Sequence, residues 1–100
     1  MKNKERYSRS FDTILNSCIE LKTEKQHRYK RGPDPLSAFT EAASKANIPI
    51  PNLIFARIVD KEGRLSNYIK SSEYDTDGMI EELMDIINYS VFMIMALERS

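Results

Sequence analysis

The chain has 100 residues, which is enough for one domain and too few for two. With 41% hydrophobic and 30% charged residues it is too apolar for a disordered protein, and its formal net charge of zero disfavours a long nucleic acid as partner. The lone Cys18 excludes an internal disulfide, and the basic first residues lack the following apolar run of a signal peptide, so we expect a cytoplasmic protein.

Four helices are predicted in chain order, over residues 4–30, 34–46, 53–69 and 79–99. The second helix is expected to open with Asp34 as N-cap and Pro35 at the first helical position. Thr76 or Asp77 is the expected cap of the fourth. No segment alternates polar and apolar residues with a period of two. We therefore expect a single all-α domain over residues 1–100, with residues 1–10 frayed.

The fourth predicted helix is apolar on nearly all sides. Between Leu83 and Leu97 the clearly polar residues are Asp85, Asn88 and Ser90. Such a helix needs to be covered on most of its surface, but its uninterrupted apolar run, 91–97, is far shorter than the ~20 residues of a membrane span. We expect a four-helix bundle completed by self-association into a homodimer or higher homo-oligomer, with no membrane partner.

Charge is distributed unevenly along the chain, with nine basic residues in 1–31 and six acidic residues in 73–85. Polar residues also recur at helical spacing on three of the predicted helices. These three polar stripes are Glu20, Glu24 and His27 on the first helix, Arg57, Asp60, Arg64 and Asn67 on the third, and Glu81, Asp85 and Asn88 on the fourth. Carboxylates from neighbouring helices can hold Mg²⁺, and basic side chains beside them can hold phosphate. The alternative is structural: ion pairs between helices, joining Asp60 or Asp85 to Arg57 or Arg64.

Four sequence blocks follow one another along the chain: K-Q-H-R-Y at 25–29, D-P-L-S-A-F at 34–39, D-K-E-G-R-L-S-N at 60–67 and E-E-L-M-D-I-I-N-Y at 81–89. In these blocks the chain resembles small phage proteins of the nucleotide modification associated domain 1 family. That family is similar to the all-α, MazG-like nucleoside triphosphate pyrophosphohydrolases. The resemblance covers about residues 14–97. It implies a four-helix MazG-like bundle, dimeric or larger, with an acidic nucleotide site that holds magnesium.

The resemblance also implies roles for individual residues. Glu82 and Asp85 match the E-x-x-D pair of the MazG-like enzymes and are the predicted catalytic residues and metal ligands. Glu20 and Glu24, spaced one residue wider than the family's E-x-x-E pair, are the other predicted Mg²⁺ ligands. The predicted substrate-binding residues are Tyr29, Arg57, Asp60, Lys61, Arg64, Asn67, Asn88 and Tyr89.

Three functions follow as hypotheses. The first is a magnesium-dependent pyrophosphohydrolase of nucleoside or deoxynucleoside triphosphates. The second is a binding protein that sequesters a nucleotide, such as a host defence signal, without cleaving it; for a phage protein this would take place in the host cytoplasm. Arg28, where the phage family often has an acidic residue, suits phosphate contact better than metal ligation. The third is a helical interaction module whose polar stripes are structural.

Overall fold

The computed structural model describes residues 8–29, 34–71 and 75–99. Within these ranges the chain forms four helices and no strand: α1 (Phe11–Tyr29), α2 (Ser37–Ala46), α3 (Ile50–Lys70) and α4 (Thr76–Glu98). The predicted all-α class with four helices is confirmed. The MazG-like arrangement and the oligomer stay predictions.

Side-chain caps set where α1 and α4 begin. Ser10 Oγ accepts a hydrogen bond of 3.2 Å from the backbone N–H of Thr13, so α1 begins at Phe11. The earlier part of the predicted first helix, residues 4–7, lies outside the described residues. Asp75 Oδ1 accepts a bond of 2.9 Å from the N–H of Gly78. The cap of α4 is therefore Asp75 and not Thr76 or Asp77 as predicted, and the helix begins three residues earlier than expected.

The predicted start of α2 at Asp34 and Pro35 is wrong. Asp34 Oδ1 accepts a bond of 3.0 Å from the N–H of Leu36, and the Asp34 carbonyl accepts one of 3.0 Å from Ser37. Both bonds close a turn ahead of the helix, which begins at Ser37. The Asp34 side chain that predicted an N-cap thus stabilises a separate turn.

The connection between α2 and α3 is short. Asn47 ends α2 in the left-handed conformation, with φ at 57°, and the N–H of Ile48 bonds back to the Ala43 carbonyl at 3.0 Å. Pro49 is the N-cap of α3, and Pro51 lies in the first turn, where a missing N–H costs nothing. The third helix therefore begins at Ile50, ahead of Pro51 and three residues before the predicted start at 53.

The core lies where α3 and α4 pack side by side and α2 covers one end of α3. Its buried residues are Leu36, Ile54, Phe92 and Ala96. Helix α1 packs against α4 through the buried Cys18, whose backbone carbonyl accepts a bond of 3.0 Å from Asn88 Nδ2. Cys18 is thus a packed side chain.

Large apolar side chains remain exposed on three helices of the elongated molecule, which measures 46 × 27 × 24 Å. They include Phe11, Leu15 and Ile19 on α1, Phe55 and Val59 on α3, and Val91, Ile94 and Leu97 on α4. The expected cover of the fourth helix is thus incomplete within one chain. Among the described helices, none combines the length and the hydropathy of a membrane span.

Candidate functional site

A cleft of about 430 Å³ lies between the four helices. It receives side chains from α1, from the turn before α2, and from α2, α3 and α4. Its lining residues are Lys22, Lys25, Gln26, Asp34, Pro35, Ser37, Ala38, Phe39, Arg57, Asp60, Lys61, Arg64, Asp85, Asn88, Tyr89 and Phe92. The volume falls in the range of about 300–1,000 Å³ of pockets that bind small molecules.

The lining of the cleft is cationic, with five basic residues against three acidic ones. Lys22, Arg57 and Arg64 form no ion pair with any described residue. Arg57 and Arg64 lie seven residues apart on α3, so both project from the same face of that helix. The cleft therefore offers three basic side chains that are not engaged by carboxylates of the described chain.

The other two basic residues of the cleft are bound to Asp85. Lys25 Nζ of α1 lies 2.8 Å from Asp85 Oδ1, and Lys61 Nζ of α3 lies 3.0 Å from Asp85 Oδ2. Asp85 itself is only 8% exposed. One carboxylate of α4 thus joins α1 and α3, and we call these three side chains the Lys25–Asp85–Lys61 bridge.

The bridge keeps Asp85 ionised. Burial alone would raise the pKa of this carboxyl, but the hydrogen bonds and charges of Lys25 and Lys61 outweigh burial and hold the pKa below its ordinary value. Asp85 therefore carries its negative charge at neutral pH even though it is buried.

Glu82 lies one turn before Asp85 on α4. Its Oε2 is 3.9 Å from Lys61 Nζ and is buried without a hydrogen-bond partner among the described residues. The predicted catalytic pair thus lies at the contact of α3 with α4, and Lys61 forms an ion pair with both carboxylates. Glu82 does not line the cleft itself.

An aromatic cluster lies on the same wall of the cleft as Asn88. The rings of Phe39 and Tyr89 meet edge to face, with centroids 5.9 Å apart, and those of Phe39 and Phe92 are 5.2 Å apart. All three side chains line the cleft. An apolar, aromatic surface therefore borders the basic one.

The four predicted metal ligands do not come together around one point. Glu20 and Glu24 are exposed on α1, where Glu24 Oε1 accepts a bond of 2.8 Å from Arg28, and neither lines the cleft. Within the described ranges no group of three or more His, Cys, Asp or Glu side chains is placed to hold a metal ion. Both oxygens of Asp85 are bonded to ammonium groups, so this arrangement does not fit a magnesium ion there. Magnesium binding stays a prediction.

Most of the predicted substrate-binding residues meet in the cleft: Arg57, Asp60, Lys61, Arg64, Asn88 and Tyr89. Asn67 lies instead in a shallow neighbouring depression with Arg64 and Tyr68. The side chain of Tyr29 lies outside the described residues. The structural alternative predicted ion pairs between Asp60 or Asp85 and the two arginines. None of these pairs forms among the described residues: Asp85 binds two lysines instead, and Asp60 forms no ion pair with a described residue.

Sequence reasoning missed several cleft residues, chiefly Lys22, Lys25 and Gln26 on α1, and Phe39 and Phe92. Lys22 and Lys25 are three residues apart and so share a helix face, which was a usable signal. The spacing of Phe39 and Phe92 is typical of core residues, and it does not distinguish a core position from one on the wall of a cleft.

No protein family, curated protein or solved structure matches this chain in the comparisons.

Proposed function

We propose that the cleft binds a small phosphorylated ligand with an aromatic ring, most simply a nucleotide, and holds it without cleaving it. The observation that carries this proposal is that Lys22, Arg57 and Arg64 face the same cleft as the aromatic cluster. Basic side chains free of carboxylates bind phosphate oxygens through charge-assisted hydrogen bonds, and guanidinium groups do so with two parallel bonds. Aromatic rings offer a surface on which a nucleobase packs.

Sequestration is favoured over hydrolysis by the state of Asp85. The predicted hydrolase needs carboxylates available to a metal, whereas both oxygens of Asp85 accept bonds from lysine. Sequestration of a host defence signal in the host cytoplasm is the physiological role that the phage-like resemblance suggests for such a cleft.

Hydrolysis of a nucleoside triphosphate is the second candidate, and Glu82 favours it. Its buried Oε2 has no hydrogen-bond partner among the described residues, one turn from Asp85. A buried carboxylate oxygen left without a partner is costly, and such groups are often retained for function. If Lys61 moved onto a ligand phosphate, Glu82 would lose its ion-pair partner, while Asp85 would keep Lys25.

Calorimetric titration tests the first candidate. The ligands are ribo- and deoxyribonucleoside triphosphates of each base, the matching monophosphates and nucleosides, and a cyclic dinucleotide, each with EDTA or with Mg²⁺. We expect saturable binding in EDTA, and recovery of the intact nucleotide after incubation with Mg²⁺. Magnesium-dependent release of pyrophosphate would instead establish the second candidate, and failure of every phosphorylated ligand to bind would overturn both.

A matched pair of variants tests whether binding takes place in the cleft. Arg64→Gln removes one basic side chain of the cleft and should weaken triphosphate binding by about 10- to 100-fold, as expected for a lost hydrogen bond to a charged group. Lys70→Gln removes an exposed basic residue from the same helix outside the cleft. It should leave the affinity within about twofold of the native value. Equal losses in the two variants would contradict binding at this cleft.

We further propose that the chain self-associates through its exposed apolar side chains. Val91, Ile94 and Leu97 lie along α4, each about half exposed. Exposed apolar surface of this kind favours association. Sedimentation equilibrium should give a mass of at least two chains. Ile94→Lys should lower that mass, whereas Ser44→Lys, on the exposed side of α2, should not; a native protein of single-chain mass would refute self-association.

A further inference from the structure

We infer that Asp85 sets how much negative charge the cleft accepts, by acting as an internal anion that shares Lys25 and Lys61 with the phosphates of the ligand. This inference rests on the proposed nucleotide binding and concerns its specificity. It gives Asp85 a positioning role opposite to that of a metal ligand, because an anion beside a phosphate site opposes phosphate, whereas a metal ligand promotes its binding.

The geometry supports this role first through access. Lys25, Lys61 and Asp85 all line the cleft, and the side chain of Lys25 is 39% exposed. The bridge is thus reachable from the cleft and is not sealed inside the core. A phosphate that enters next to Arg57 and Arg64 meets ammonium groups that are already bonded to a carboxylate.

The second support is the charge of the lining. Its five basic and three acidic residues give a formal charge of +2. Asp34 Oδ2 accepts a hydrogen bond of 2.7 Å from Arg99, the residue that follows α4. Asp85 is the acidic residue bonded to two of the cleft's own cations, so its loss adds a positive charge to the lining and removes the carboxylate that Lys25 and Lys61 share.

The third support is energetic. A buried ion pair contributes little net stability, since desolvation of the two charges offsets most of their attraction. In this cleft, however, the pair determines which cations are available to a ligand. Removal of Asp85 should favour ligands in proportion to their negative charge, because the Coulomb energy grows with the charge of the ligand.

The test compares Asp85→Asn with the native protein, using a nucleoside triphosphate and its monophosphate in EDTA. We expect Asp85→Asn to tighten triphosphate binding on the order of tenfold and monophosphate binding by only about two- to threefold. Asp60→Asn is the matched control, since Asp60 also lines the cleft but forms no ion pair with a described residue. It makes the same change in formal charge without removing a carboxylate that is bonded to lysine, so its gain in triphosphate affinity should be clearly smaller.

A second variant keeps the inference testable if Asp85→Asn does not fold. Lys25→Met removes the more exposed partner of Asp85 and should reduce the preference for triphosphate over monophosphate. An unchanged preference in Lys25→Met, equal gains in the two Asp→Asn variants, or weaker binding by Asp85→Asn would each overturn the inference. In all three cases the native protein still binds nucleotide; if it binds none, the proposed function itself has failed.

Discussion

Replacement of Lys61 by methionine should strongly destabilise the fold, because Lys61 Nζ lies 3.0 Å from Asp85 Oδ2 and 3.9 Å from Glu82 Oε2, on two mostly buried carboxylates. The side chains of Lys61, Asp85 and Glu82 are 16%, 11% and 12% exposed, so water screens them poorly. Removal of one partner of a buried ion pair costs about 3–5 kcal/mol. We expect the lower end, about 3 kcal/mol, because Lys25 remains on Asp85.

That loss should be plain in thermal unfolding. For a domain of this size 1 kcal/mol shifts Tm by roughly 4–8 °C, so Lys61→Met should melt about 12–24 °C below the native protein. Circular dichroism at 222 nm measures the transition. Lys70→Met, an exposed position on the same helix, serves as control and should change the stability by less than about 0.5 kcal/mol.

A double-mutant cycle assigns the loss to the bridge. Lys61→Met combined with Asp85→Asn should cost less than the sum of the two single changes, because both changes break the same Lys61–Asp85 ion pair. If Lys61→Met melts within a few degrees of the native protein, or if the two losses add, the argument that Lys61 neutralises buried carboxylates is wrong.

Three further predictions concern stability and reactivity. Gly78→Ala should lower Tm, because its new Cβ would lie 2.7 Å from the capping carboxylate of α4. Gly63→Ala, whose Cβ would meet nothing within 4 Å, should raise the free energy of unfolding by about 0.5–1 kcal/mol. A Tm of Gly78→Ala equal to or above that of Gly63→Ala would contradict this. Cys18, buried and with its pKa raised by that burial, should react with iodoacetamide only after denaturation, so rapid labelling of the native protein would refute its packing. The pKa of Asp34 is lowered mainly by its hydrogen bond from Arg99, so its contribution to stability is present above the ordinary value of 3.8 and is lost as the pH falls further. Asp34→Asn should therefore reduce the drop in urea midpoint between about pH 5 and about pH 3, and an unchanged drop would argue against this ion pair.

Local chemistry made the helices predictable. The helical spacing of the apolar residues and the N-cap signals predicted four helices, since these signals act within a few residues of the chain. Boundaries were less certain for the same reason: Asp34 and Asp75 both carry a capping side chain, yet one closes a turn and the other begins a helix. The difference depends on how the neighbouring helices are placed.

The site was predictable only in part. The stripe of Arg57, Asp60 and Arg64 was predictable because helical spacing fixes its common face. The partners of Asp85 could not be predicted from the sequence, because the choice between Lys25, Lys61 and the arginines depends on the relative rotation of α1, α3 and α4. Sequence spacing describes one helix at a time, and a cleft between four helices is a property of their packing.

Binding of a nucleotide in the cleft can be observed residue by residue by NMR. Titration of ¹⁵N-labelled protein with each nucleotide of the calorimetric panel should cause saturable shifts of the backbone amides of Gln26, Phe39, Arg64 and Asn88, one from each helix around the cleft. The amide of Ser44, outside the cleft, should move far less. Absence of saturable shifts with every ligand, or shifts confined to residues outside the cleft, would contradict the account.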